Sequence, residues 1–351
     1  MKRVKYFAGA VLFVTLALGK VNAIRGLDAV LPGGEPFRDR QGQENDLLVN
    51  GDMEELPFYW EPPNHWIAGN WTRWWMGSVI PEYDDVRDWR PYRYDGDHAQ
   101  IYFWYWPTAY TAGIYQRVAV QPCTFYQFSM YGRNHSDPGV DHHARIGIDP
   151  LGRIVDDPSI TYFPPEFVWS PEQTFLHTWG LHTVTAESRS DHVTVITYVS
   201  PDRDHPPYDT FWDAGTLVQV TPPDGRIPGP SDWTPDGFIT NVISYTSSGQ
   251  LTIEWDTTEP ASTQVWYSVR TPTEPTTPTV TLTHTTYLPL IARWKLPDFY
   301  TPADQSGGTH HQVTIQGLEA GQIVDFVILA RRLVEYSCLT SPSDFFTVVA
   351  Q

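Results

Sequence analysis

Apolar and polar residues alternate at period two along most of the chain, and no stretch sustains a helical period. QIYFWYW (100–106), GIYQRVAV (113–120), CTFYQFSMYGRN (123–134) and HARIGIDP (143–150) each read as a strand. The last ends in a turn at Asp149-Pro150-Leu151-Gly152. TFLHTWGLHTVTAES (174–188), HVTVITYVS (192–200) and DTFWDAGTLVQV (209–220) continue the series, and LLVNGDMEE (47–55) is expected to open it. TPPDGRIPGPSDWTPDG (221–237) holds five prolines and three glycines and reads as a stiff linker. Beyond it, FITNVISY (238–245), QLTIEWDT (250–257), TQVWYSV (263–269), HHQVTIQGL (310–318), QIVDFVILARR (322–332) and SDFFTVVA (343–350) form a second set. The pattern predicts an all-β chain: an N-terminal jelly-roll sandwich over 47–220 and a smaller C-terminal sandwich of about seven strands over 238–351.

An insertion, 271–308, interrupts the second set. It opens TPTEPTTPTVTLTHTT, a composition that cannot build a core and is expected at the surface. Within it TYLPLIARW (286–294) is apolar. It reads either as an ordinary loop or as a contact for a protein partner.

At the N-terminus Lys2, Arg3 and Lys5 precede the apolar run Tyr6 to Leu18, and Val21-Asn22-Ala23 offers small residues for cleavage. Residues 1–23 therefore read as a signal peptide, because the apolar run is shorter than the ~20 residues a membrane span needs. Residues 24–46 read as a polar leader. The full chain carries net charge −18; without residues 1–23 and their four basic side chains, 19 basic residues face 41 acidic ones, net −22. Such a balance argues against nucleic acid and anionic lipid as partners. A secreted or cell-surface location is expected. Cys123 and Cys338 can pair in such a compartment or stay as two separate buried thiols.

Aromatic residues carry the candidate chemistry. IYFWYWPTAY (101–110) puts six rings into ten residues. In a strand Ile101, Phe103 and Tyr105 share one face, expected as core, and Tyr102, Trp104 and Trp106 share the other. That second face is expected either to meet a covering loop or to line a groove. Upstream, WIAGNWTRWWMG (66–77) and DVRDWRPYRYDGDH (85–98) add Trp71, Trp74, Trp75, Trp89 and Tyr92, interleaved with Arg73 and Arg93. A pyranose offers an apolar C–H face to a ring and hydroxyls to polar groups at the rim, so this mixture suits sugar recognition. The alternative is that the same rings pack the core or brace their own loops.

Three short pieces, LVNGDMEE, GIYQRVAV and FWDAGTLV, resemble the galactose-binding-like jelly roll, a fold of many carbohydrate-binding modules. Met53 replaces the family's Phe, and Asp213-Ala214-Gly215 replaces its Asp-Asp-Val. The resemblance implies a polysaccharide or surface glycan as partner. It also implies a structural Ca²⁺ held by Glu54 and Asp213, against the alternative of buried carboxylates satisfied by backbone N–H groups. LTIEWDTTEPASTQVWYSV and HQVTIQGLEAGQIVDFVILA resemble a fibronectin type III domain, with Trp255 as its core tryptophan, a turn at Gly317-Leu318-Glu319-Ala320-Gly321, and Val324 where the family has tyrosine. No catalytic residues are expected. The pairs Asp84-Asp85, Asp156-Asp157 and Asp202/Asp204 read as solvated caps, and no HExxH, GxSxG or phosphate-binding loop is present. The reading is an exported, non-catalytic glycan-binding protein; its rival is a structural or adhesive surface protein working through protein contacts.

Overall fold

The computed structural model describes residues 45–55, 58–61, 65–87, 90–106, 108–153, 162–202, 207–272 and 298–351. The expected signal peptide, the leader apart from Asn45 and Asp46, Trp89 and the segment 286–294 lie outside them. Strands make up 53% of the chain and helix 1%, so the all-β class holds.

The first twelve strands build one sandwich. They are β1 (Tyr59–Glu61), β2 (His65–Ile67), β3 (Thr72–Met76), β4 (Glu82–Asp85), β5 (Gln100–Trp104), β6 (Thr111–Ala119), β7 (Phe125–His135), β8 (Arg145–Asp149), β9 (Val168–Trp169), β10 (Gly180–Glu187), β11 (His192–Tyr198) and β12 (Tyr208–Val220). A seven-stranded sheet in the order β1-β2-β4-β5-β12-β7-β10 faces a five-stranded sheet in the order β3-β6-β11-β8-β9. Between them pack Met53, Tyr83, Tyr102, Ile114, Phe128, Met130, Ile146, Val195, Trp212 and Leu217.

Two sequence expectations change here. LLVNGDMEE is no strand: it forms a turn in which Asn50 and Met53 take positive φ (55° and 62°), and it is tied to the sheet through Gly215 N donating to Gly51 O at 2.7 Å. The Trp-rich stretch 66–77 is not loop. Most of it forms β2 and β3, short strands whose few aliphatic residues gave no alternating signal.

The remaining strands are β13 (Ile239–Ser247), β14 (Gln250–Thr257), β15 (Ser262–Arg270), β16 (Phe299–Tyr300), β17 (His310–Gln316), β18 (Ile323–Val334) and β19 (Ser337–Val349). They form a three-stranded sheet, β13-β14-β17, and a four-stranded sheet, β16-β15-β18-β19. Leu251, Ile253, Trp255, Val265, Ile315, Val324, Phe326 and Ile328 fill the space between.

The proline-rich run 221–237 is not a free spacer. Ile227 is buried with Trp266, Val327 and Leu329, and Trp233 packs on Trp266 and Phe345. Ile227 N donates to Gln264 Oε1 at 3.0 Å, and Thr340 Oγ1 donates to Pro228 O at 2.7 Å. The run thus seals the outer face of the four-stranded sheet.

The two sandwiches are joined directly. Cys123, before β7, and Cys338, in β19, form a disulfide with Cα atoms 5.5 Å apart, which removes the alternative of two separate thiols. Beside it the guanidinium of Arg331 takes both carboxylate oxygens of Glu187, with Nη2 to Oε2 at 2.7 Å. Gln219 Nε2 donates to Gln305 O and Gln305 Nε2 to Val220 O, each at 3.0 Å.

Candidate functional site

Register on the seven-stranded sheet decides which rings are free. Thr210 pairs with Tyr102 and Trp212 with Gln100, so the even-numbered residues of β5, and of β12 as far as its bulge after Asp213, point inward. Tyr102 is fully buried, accepts a hydrogen bond from Trp212 Nε1 and lies 3.2 Å from Thr197 Oγ1. Trp104 packs on the same core. The expected faces of IYFWYW are therefore exchanged. A phenol and an indole can enter a core when their polar atoms find partners, and Thr197 and Trp212 supply them for Tyr102. Ile101 and Phe103 lie on the outer face with Val86, Phe211 and Trp179, capped by Tyr92 stacked on Phe211 at 4.8 Å.

Most of the candidate rings are occupied by packing. Trp71 is buried, and its Nε1 donates to Asn50 O at 3.0 Å. Trp74 is fully buried on the outer side of the five-stranded sheet, donating to Thr197 O at 3.1 Å and roofed by Phe163 at 5.1 Å. Trp75 packs on the main core, with Arg73 over its ring at 5.1 Å. Arg93 is spent on Asp97, through the carbonyl at 2.6 Å and the carboxylate at 3.1 Å. Tyr92 serves as a lid with Arg133 above it at 4.9 Å. Of the nine candidates among the described residues only Trp106 is clearly open, 65% exposed.

Trp106 has a neighbour that the alternation pattern assigned to the core. Tyr105 is 59% exposed and lies 5.1 Å from the Phe103 ring. Both follow the last residue of β5, and Pro107 comes next in sequence. Proline cannot donate to a ladder, so nothing in the sequence supports a strand continuing through this point, and β5 stops at Trp104. That proline is the signal that could have found the two rings.

Polar groups flank the pair. Glu82 on β4, Phe103 on β5, Asp209 on β12 and His135 on β7 are consecutive Cα partners, one row crossing four strands on the outer face. His135 Nδ1 lies 3.0 Å from Asp209 Oδ2, while Asp209 Oδ1 is buried and has no protein partner. Burial raises the Asp209 pKa, and the His135 contact opposes the shift. The Tyr105 phenol is also raised, by partial burial first and then by the charges of Asp209 and Glu82. Those two carboxylates flank Phe103, the residue whose ring meets Tyr105.

The two residues expected to hold calcium meet the same loop. Glu54 accepts from Asp97 N (2.9 and 3.0 Å) and His98 N (2.9 Å). Asp213 accepts from Tyr94 N (2.8 Å), Asp95 N (3.1 Å) and Ala214 N (2.6 Å). Burial pushes the Asp213 carboxyl well up, against the pull of these donors. N–H groups aimed at both carboxylates make an anion cradle, not the all-oxygen cage of calcium. Among the described residues no three His, Cys, Asp or Glu side chains converge on a point where a metal ion could sit. The pair as placed does not fit the ion.

No family model matches this sequence, and no curated protein does. Among solved structures the chain is similar to the carbohydrate-binding module TmCBM61 in complex with β-1,4-galactotriose, at 14% identity over 50% of this chain and 99% of that one, TM-score 0.34. It is similar also to the enzymatically active domain of bacteriophage CBA120 tailspike protein 4 (12% identity, 50% of this chain, 21% of that one, TM-score 0.33). A family 16 carbohydrate-binding module follows (18% identity, 39% of this chain, 84% of that one, TM-score 0.27). Among the described residues no helix is long and apolar enough to cross a membrane.

Proposed function

We propose that this is an exported, non-catalytic glycan-binding protein whose contact surface is the Tyr105–Trp106 platform. The observation that carries the reading is this pair of adjacent exposed rings, 59% and 65% open, beside a cross-strand row of hydrogen-bonding side chains. Two stiff rings give stacking area at small entropic cost. Glu82, Asp209 and His135 offer acceptors and a donor to hydroxyls. The Cys123–Cys338 bridge supports an oxidising compartment and so export. The three-plus-four strand order of the second sandwich supports a fibronectin type III-like support module.

Affinity electrophoresis in gels containing neutral polysaccharides tests the reading. Trp106→Ala and Tyr105→Ala should each lose retention by about tenfold or more, with unfolding midpoints unchanged because neither ring is core. Retention equal to wild type in both variants sinks the platform. Exposed Ile243, Tyr245, Phe299 and Tyr300 on the second sandwich favour the rival, a surface protein working through protein contacts. Concentration-dependent assembly in light scattering, without any saccharide retention, is its signature.

A further inference from the structure

The platform's charge narrows the class of glycan. Phe103, whose ring lies 5.1 Å from that of Tyr105, stands between Glu82 and Asp209 in the cross-strand row on the outer face. Asp84 follows Glu82 by two on the same strand and is exposed on the same face. Three basic groups near this face are engaged within the protein, and Arg87 lies toward Asp85, beyond the row. Arg133 lies over Tyr92 at 4.9 Å, Arg93 is held by Asp97 at 3.1 Å, and His135 is tied to Asp209 at 3.0 Å. A sugar laid on Tyr105 and Trp106 therefore meets electron-rich ring faces from below and carboxylates from the side.

That environment discriminates by charge. An ammonium group over an aromatic face gains from the ring quadrupole, and neighbouring carboxylates add Coulomb attraction. A uronate or sulfate in the same place meets two like charges, a built-in rejection.

Resting on the glycan-binding reading, we infer that the preferred ligand is an amino sugar polymer with protonated amines, taken in preference to a neutral glycan of the same backbone and against polyuronates. The acceptor row also fixes direction: the chain crosses the strands, along Glu82, Phe103, Asp209 and His135. Four strands at about 4.8 Å spacing span roughly 14 Å, room for about three sugar units.

The test is isothermal titration of the full chain at pH 5.5 and low salt with three oligomers of equal length: β-1,4-glucosamine, β-1,4-glucose and α-1,4-galacturonate. Wild type should bind the glucosamine oligomer about tenfold more tightly than the glucose oligomer, with no measurable galacturonate binding. Raising salt to 0.5 M should erase most of that ratio. Glu82→Gln alone, and Glu82→Gln with Asp209→Asn, should bring the ratio below about twofold. The single variant alters one half-buried, near-isosteric side chain on the outer face and keeps the test valid if the double variant is poorly folded. Glucose and galacturonate oligomers bound as tightly as glucosamine overturn the charge inference and leave the platform standing. Loss of ratio in wild type, with all binding abolished by Trp106→Ala, has the same meaning. Failure of all three oligomers to bind overturns both.

Discussion

His182 lies between the sheets of the first sandwich, 1% exposed, with neither ring nitrogen bonded to protein. Burial alone lowers its pKa to about 4. His142, whose Nε2 lies 3.0 Å from Ser136 Oγ, is also lowered to about 4, mainly by burial. A histidine whose folded pKa sits below its unfolded value near 6.5 takes up protons more readily when unfolded. Its contribution is therefore complete above pH 6.5 and drains away as pH falls toward 4. Each such group tilts stability by about 1.4 kcal/mol per pH unit inside that window. His182→Leu should make the pH dependence shallower by about that slope, measured by urea unfolding at pH 7, 6, 5 and 4.5; an unaltered slope rules the assignment out. Tyr102 shows the limit of reading single residues from sequence. Its alternation was legible, but its face depended on Thr197 and Trp212, 95 and 110 positions away.

The last strand of the first sandwich, β12, changes register between Asp213 and Thr216, with Ala214 at φ 50°. This bulge turns Asp213 onto the N–H groups of Tyr94 and Asp95, as Glu54 takes those of Asp97 and His98. Two carboxylates from opposite ends of the domain thus pin one loop, and that loop supplies the Tyr92 lid. Gly96 sits between the pinned residues at φ +55°, where an added Cβ would fall 2.2 Å from Glu54 Oε1. Gly96→Ala should therefore cost about 1–3 kcal/mol through strain and the displaced carboxylate. Amide exchange should show the loop at 94–98 opening before the strands; exchange rates matching wild type would discount the cradle. Long strands such as β7, β11 and β14 were legible because alternation runs through them. The short strands β1 to β4 were hidden, since three to five residues carry too few periods to stand out among prolines and tryptophans. The platform was half legible: Trp106 was named and Pro107 marked the strand's end for Tyr105, whereas Glu82 and Asp209 needed the register of two strand pairs.

At the scale of the molecule, the second sandwich is fastened to the first by a covalent bridge, a nearly buried ion pair and amide hydrogen bonds. Breaking the bridge with Cys123→Ser and Cys338→Ser should lower stability by about 2–4 kcal/mol and separate calorimetric unfolding into two transitions. One unshifted transition would show that the remaining contacts suffice. The sequence could offer the two cysteines but not their partnership, because pairing across 215 residues depends on how the sandwiches meet. The bridge also has a meaning for damage. Any backbone cut between positions 123 and 338, in the proline-rich run or the threonine-rich insertion, leaves both fragments covalently attached. Limited trypsin digestion should yield one band on a gel without reductant and two with it, so a molecule severed once in a protease-rich setting would keep its two halves on the same surface.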